Sequence, residues 1–600
     1  MRKSLFSAVS CFIAASIILP LAGCIAHAPG SGGGGGGGQQ PLLVTVTSSL
    51  AAPASAPVST PTVPSTVQFS ATVSPSTSSQ AVTWGPPTLG PDSTSSATGA
   101  GLGMIDANGL YTAPLTVPTC AAGTISCELD VAITATANAD GVTTGQALVK
   151  VHVIVTVTPA TDTIGQIANL QYTATVTGAP NTSDGQAVVW SVSCPECQGQ
   201  QSGGGFDANN PGLYIAPQLE SGTTSVPVTI IATPGFDQSQ PAKGTMTVQQ
   251  TDPLGSIDPT SVKTVSPCPA DSKGNLTDGT CYSMTVTCDG IAPLQAYLKV
   301  NAAAATPVGT VLFLTGGGGS ALYDNNPLWA NGYQTVENVL AANFNTVQIS
   351  FGAPFDNGAQ PNGWLQGPGG VRRLACRYAT VADWVYNNPK QINATSSATN
   401  SAPMCATGNS EGAGALGYAA YQYGLAGRAT TGPSPEFAMI EPTSGPLMTR
   451  LDLGCVCNNQ VNAPTKGPCT TDTAPAPMCY LPSQTQFIDA AYQTQGQTSP
   501  TLCSNGLSGT DTTNFNRFAS DSIDSEPFNP IPIPLSGVVV ISRYGGGDQT
   551  TAKPQGIDWW NAVRPTPTEP QQCSANAPVD IPSEAGGATD IANDIIGSCQ

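Results

Sequence analysis

The sequence predicts a multidomain chain: two all-β sandwiches followed by a doubly wound α/β sheet. Three observations predict it. A block of residues between positions 41 and 250 is written twice, with apolar side chains at alternate positions. After Asp252 continuous apolar runs alternate with helical spacings. Between one such run and one such helix lies Gly408-Asn409-Ser410-Glu411-Gly412.

Composition bounds the rest. A chain of 600 residues holds several domains of about 100–200 residues each. Only 9% of residues are charged, against 66 Gly and 53 Pro, which fits turn-rich β structure better than long helices. The net charge of −19 argues against nucleic acid as a partner, since phosphate binding needs clustered Lys and Arg. No polybasic run is present to hold an anionic membrane surface. Histidine occurs only at His27 and His152.

The N-terminus reads as an export signal over residues 1–23. Arg2 and Lys3 precede an apolar stretch at 12–21 that is too short to span a bilayer. It ends in Leu21-Ala22-Gly23-Cys24. This resembles the bacterial lipobox, which implies lipidation of Cys24 and a membrane partner through that anchor; ordinary secretion is the plainer alternative. Ile25 after the cysteine implies, by the same resemblance, the outer membrane or cell surface. Setting Cys11 and Cys24 aside, 16 of the 18 cysteines remain, an even number that in an exported chain implies disulfides rather than metal sites. No metal and no cofactor is expected. Residues 24–40 include seven consecutive glycines at 32–38 and read as a flexible tether.

Residues 41–153 and 154–250 are two copies of one unit. Phe69 matches Tyr172 at an offset of 103 residues, and Trp84 matches Trp190 at 106. Residues 103–114 match 205–217 around a shared Gly-Leu-Tyr-x-Ala-Pro turn. Period-two runs such as Val67, Phe69, Ala71 and Val73 mean half-buried strands, and about seven short strands per copy read as a sandwich. The paired motifs resemble bacterial immunoglobulin-like domains, which implies a stalk. Glycan or protein binding by residues 41–250 stays open, with no residue demanding it. Cys120 with Cys127, and Cys194 with Cys197, are expected to close local loops.

In residues 251–600 the runs 310–315, 346–351, 403–407, 437–441 and 537–542 read as strands, and 371–386 and 411–423 as helices. In Gly408-x-Ser410-x-Gly412 a serine sits on a tight strand-to-helix turn whose flanking glycines relieve side-chain collision. Thr315-Gly316-Gly317-Gly318-Gly319 follows an earlier buried strand, and such glycines let backbone N–H groups face a developing oxyanion. Gly545-Gly546-Gly547-Asp548 follows a late strand. Together these resemble the α/β-hydrolases of the esterase and lipase kind. The resemblance implies Ser410 as nucleophile, Asp548 as the acid, Gly408 and Gly412 as the elbow, and Gly317, Gly318 and the Glu411 N–H as oxyanion donors.

The resemblance then fails at one place. The family's histidine follows the acid, yet no histidine follows His152. By position it would fall at Val579 or Asp580. Without a base a serine hydroxyl is a poor nucleophile, and what remains is the roughly 10³–10⁴-fold contribution of oxyanion hole and binding. An ordinary carboxylate at Asp580 is weakly basic at pH 7 unless burial raises it. His152 lies in a strand run among the sandwiches, far in sequence from the elbow.

Lesser candidates are a loose calcium-like loop at Asp271, Asn275 and Asp278, a tryptophan-lined cleft from Trp329, Trp364, Trp384, Trp559 and Trp560, and an arginine face at Arg372, Arg373 and Arg377. The loop reads better as a solvated turn, Trp384 as packing against the sheet, the Trp559–Trp560 pair near Asp548 as a cleft candidate, and the arginine face as solvated or salt-bridged. The expectation is a surface-anchored lipoprotein presenting a degenerate, weak or binding-only ester hydrolase, with a small ester or glycan as the ligand class. The alternatives are an active serine esterase with a non-histidine base, and an adhesin acting through the sandwiches.

Overall fold

The computed structural model describes residues 40–52, 54–117, 129–197, 202–219, 223–235, 237–238, 240–275, 279–388, 403–426, 436–457, 478–492, 501–509, 512–524, 535–548, 550–563, 566–568, 571–574 and 577–599. The signal segment, the tether up to residue 39, Cys24, His27, Cys120, Cys127 and Asp278 lie outside the described residues.

The first repeat forms two sheets. One runs Leu43–Ser48, Thr66–Ser74, Leu110–Thr112, Met104–Ile105. The other joins Ala54–Pro57, Thr144–His152, Leu129–Ala137 and Val82–Trp84, with Thr88–Leu89 beside Leu129–Ala137. Val67, Phe69 and Tyr111 of the first share one core with Val131, Ile133, Val149 and Val151 of the second. The period-two pattern is thus the buried face of each sheet. In the second repeat Tyr172, Tyr214, Val228, Ile230, Met246 and Val248 form the corresponding core, and Cys194 is bonded to Cys197.

The third region is built on a mixed sheet. Its path runs Ser256–Ile257, Thr280–Thr287, Leu294–Asn301, Phe344–Ser350, Gly309–Leu314, Met404–Asn409, Phe437–Thr443, Ser536–Val540, Thr566–Thr568. Pairing is antiparallel up to Phe344–Ser350 and parallel beyond it. Gly309–Leu314 is buried along its whole length, as a strand covered on both faces must be. Leu312 and Leu314 pack with Tyr378, Val381, Leu416 and Tyr418. Val311 and Phe313 turn the other way, to Val336, Val339, Ile591 and Ile595. Helices Cys376–Asn387 and Glu411–Tyr421 therefore cover one face, and Gly332–Ala341 and Ala585–Ser598 the other. The helix expected over 371–386 is two, Val371–Leu374 and Cys376–Asn387.

The order of connection positions the site. From Gly309–Leu314 the chain crosses to Phe344–Ser350 on one side, then to Met404–Asn409 on the other. Loops leaving the carboxyl ends of such neighbours diverge and open a crevice, the usual ligand position of a doubly wound sheet.

The second repeat is docked on the third region by buried charge. Within the third region Arg372 donates to both oxygens of Asp252 at 2.7 and 3.1 Å, and the pair reaches the second repeat through the Gln166 carbonyl, which accepts from Arg372 at 2.9 Å, and the Gly165 N–H, which donates to Asp252 at 2.8 Å. Arg373 donates to Asp162 at 2.6 Å. The Asn169 amide donates to the Asp521 carboxylate at 2.8 Å and to the Arg517 carbonyl at 3.1 Å. Arg377 holds the carbonyls of Trp364, Gln366 and Ala292. Arg372 and Arg373 are thus salt-bridged, and Arg377 is held by backbone carbonyls.

Among the described residues six disulfides join Cys194–Cys197, Cys268–Cys281, Cys288–Cys376, Cys405–Cys599, Cys455–Cys503 and Cys457–Cys479, which suits an exported protein. No helix among them is long and apolar enough to cross a membrane.

Candidate active site

Ser410 joins Met404–Asn409 to Glu411–Tyr421 with φ 55° and ψ −115°. This is a backbone conformation that non-glycine residues rarely adopt and that stores strain. The turn is held by the Ser410 N–H donating to the Thr443 carbonyl at 3.0 Å, and by the Gly414 N–H donating to the Ser410 carbonyl at 3.1 Å. Both flanking glycines are sterically required. A Cβ on Gly408 would lie 2.5 Å from the Gly412 carbonyl oxygen, and one on Gly412 would strike the Thr315 carbonyl.

The Thr315–Gly319 stretch sits against this elbow. Gly317, Gly318 and Gly319 have φ of 60°, 70° and 67°. A Cβ built on Gly316 would lie 3.2 Å from the Ser410 Cβ and 3.3 Å from the Glu411 Oε2. The glycine loop and the serine side chain are therefore brought together. The Gly317 N–H is already engaged: it donates to the Glu411 Oε2 at 2.8 Å. Nothing in the sequence pattern signals that contact.

Asp548 lies in the turn after Arg543–Gly545 and is 3% exposed. Its Oδ1 accepts the Thr550 N–H at 2.7 Å, while its Oδ2 is buried without a hydrogen-bond partner among the described residues. Burial pushes its pKa up to about 6; the Thr550 hydrogen bonds and Lys553 act against that, and the charge of Asp580 adds to it.

Residues 577–580 are clamped to both partners. The Gly547 N–H donates to the Ala577 carbonyl at 3.0 Å, and a Cβ on Gly545 would strike the Pro578 carbonyl. The Asn409 side-chain amide donates to the Val579 carbonyl at 3.1 Å. The loop thus touches the residue preceding Ser410 at one end and the Asp548 turn at the other, and Val579 packs against the main core. Asp580 is raised by burial, while a hydrogen bond from Trp329 works the other way.

The remaining candidates disperse. His152 is half-buried, its Nδ1 3.1 Å from the Ser55 Oγ; burial lowers its pKa, against the pull of Asp237. It belongs to the first repeat's sheet. Trp329, Trp364 and Trp559 are fully buried, so they are core rather than cleft lining. The Asp271 Oδ1 accepts the N–H groups of Lys273 and Asn275, an ordinary side-chain turn. No group of three or more metal-ligating side chains occurs among the described residues.

No family model matches this chain, and no curated protein does. Several solved structures are similar over about half of it. A thermostable carboxyl esterase from Bacillus coagulans is 11% identical, covering 53% of this chain and 99% of its own, with a TM-score of 0.31. Brefeldin A esterase, a bacterial protein, is 10% identical over 58% of this chain and 80% of its own, at 0.28. Acetyl xylan esterase 1 from Thermoanaerobacterium is 13% identical over 54% and 83%, at 0.29.

Proposed function

We propose that this is an exported α/β-hydrolase-like protein whose serine site has lost its base and persists as a weak or binding-only ester site. The observation that carries the reading is the Val579 loop. It touches Asn409 beside Ser410 and the turn bearing Asp548, and it carries valine at the position where the family pattern implies an imidazole. Ser410 keeps the strained elbow, and Asp548 keeps a buried oxygen with no hydrogen-bond partner among the described residues. This is the constellation of nucleophile and acid without the group that passes protons between them. The Leu21-Ala22-Gly23-Cys24 motif supports a lipid anchor, and the duplicated β units support a stalk of immunoglobulin-like domains between anchor and site.

The test is p-nitrophenyl acetate hydrolysis by the full chain and by Ser410→Ala. Equal, slow rates are expected. Brisk turnover that disappears with the hydroxyl would overturn the reading.

One observation favours a second reading, an active esterase with a carboxylate base. Asp548 is pushed up to about 6 and Asp580 is raised beside it, which brings carboxyl groups toward useful basicity. That reading requires Ser410-dependent turnover that rises with pH through about 6 and is lost in Asp548→Asn.

A further inference from the structure

We propose that Glu411 is an autoinhibitory contact, its carboxylate occupying the backbone donor that an oxyanion on Ser410 would need. The inference rests on the serine-site reading above and adds a second lesion to the missing imidazole.

The geometry is local and specific. The Gly317 N–H donates to the Glu411 Oε2 at 2.8 Å. The Ser410 Cβ and that same oxygen lie 3.2 and 3.3 Å from one point, the Cβ position of Gly316. The carboxylate therefore stands beside the serine, on the glycine-loop side. It is 5% exposed, so water screens it little. It is also the first residue of the 11-residue helix Glu411–Tyr421, whose positive N-terminal end favours an anion there. Two features that would stabilise a tetrahedral oxyanion, the loop N–H and the helix end, already serve the protein's own carboxylate. A second negative charge at Ser410 would meet repulsion where it needs a donor. The site is thereby biased toward neutral or hydrogen-bond-donating groups at this position.

The test is a cycle in the full chain: parent, Glu411→Ala, Val579→His and the double variant, each corrected by its Ser410→Ala counterpart, on p-nitrophenyl acetate. Freeing one oxyanion donor is expected to raise Ser410-dependent kcat by about 10²-fold in the Val579→His background, with little change in KM. Glu411→Gln should give a smaller gain, because its amide oxygen still takes the N–H but carries no charge. Ala and Gln variants that both leave kcat unchanged or lower it would overturn the proposal.

If Val579→His is silent in every background, the base assignment fails, and the contact is decided by binding instead. Phenylboronic acid adds to a serine hydroxyl: an oxygen lone pair forms the O–B bond, the proton passes to buffer, and the boron becomes a tetrahedral anion. Calorimetry should show Glu411→Ala binding it at least about tenfold tighter than parent, with no binding in Ser410→Ala. Equal affinity in parent and Glu411→Ala, or none in either, overturns the proposal.

Discussion

The side-chain amide of Asn409 donates to the backbone carbonyl of Val579 at 3.1 Å, across 170 residues of chain. The same amide also reaches the Thr443 carbonyl and hydroxyl. One side chain therefore fixes the loop at 577–580 relative to the serine turn. Asn409→Ala leaves buried acceptors unmatched, at about 1–3 kcal/mol. Faster hydrogen exchange confined to 577–584 and to the Ser410 turn is the expected result. Unchanged exchange in that loop would show that the Asp548 turn alone holds it.

A restored imidazole should act only through that clamp. Val579→His places a ring on the loop that contacts Asn409 and the Asp548 turn, and the Asp548 Oδ2, without a hydrogen-bond partner among the described residues, would be the acceptor for its N–H. Ser410-dependent hydrolysis of p-nitrophenyl acetate should rise at least about tenfold, within the 10²–10⁴ range of general-base catalysis. Adding Asn409→Ala should remove most of that gain. A gain independent of Asn409 would mean that the ring reaches the serine by another route.

Strain at Ser410 has a thermodynamic signature. At φ 55° and ψ −115° a side chain costs about 1–3 kcal/mol that glycine avoids, against roughly 0.5–1 kcal/mol of extra chain entropy lost by glycine on folding. Ser410→Gly should therefore be as stable as or more stable than Ser410→Ala in thermal unfolding. Gly412→Ala should go the other way, because its Cβ meets the Thr315 carbonyl and the backbone must shift. A Ser410→Gly protein clearly less stable than Ser410→Ala would argue that the turn is unstrained.

Legibility in the sequence depends on whether the cause is local. Gly408 is readable because its steric need, the Gly412 carbonyl, lies within five residues, whereas Gly412 is readable only as part of the Gly-x-Ser-x-Gly pattern, since the carbonyl its Cβ would meet belongs to Thr315. Leu312 and Leu314 against Val311 and Phe313 are readable as one apolar run, since a strand buried on both faces needs no alternation. The break after Leu374 is hidden because apolar spacing continues across it. Trp559 suits a cleft as well as a core on sequence grounds, since a tryptophan near Asp548 looks alike whether it faces solvent or interior. The pairing of Arg372 with Asp252, 120 residues apart, and of Glu411 with Gly317, 94 apart, follows from tertiary placement and leaves no periodic trace.

The seam between the second repeat and the third region couples their stabilities. Arg372 and Asp252, both in the third region and buried at 4% and 5% exposure, together hold the second repeat through the Gln166 carbonyl and the Gly165 N–H. Removing one partner of such a pair leaves an uncompensated charge, at about 3–5 kcal/mol. Arg372→Ala in the full chain should lower the unfolding temperature of the second repeat and of the third region together, as read by calorimetry. A drop confined to one transition would mean that the seam does not couple them.

The same seam carries a pH dependence whose sign is fixed by Asp521. Its carboxyl accepts the Tyr492 hydroxyl and the Asn169 amide. Burial raises its pKa from 3.8 to about 6; the Tyr492 hydrogen bond and the charges of Arg517 and Arg372 oppose the rise, and Asp252 adds to it. The folded state thus holds this proton more tightly than the unfolded chain does. Its contribution is full below about pH 4 and is lost as pH rises through about 6, so stability falls across that window. A rise of that size corresponds to something on the order of 3 kcal/mol. Asp548, also raised to about 6, acts in the same direction. Asp521→Asn removes the titration while its amide keeps both partners, the carbonyl toward Asn169 and the NH₂ toward the Tyr492 oxygen. The unfolding temperature of parent should fall between pH 4.5 and 7, and that of Asp521→Asn should fall less. Parallel slopes for the two proteins would place the proton elsewhere.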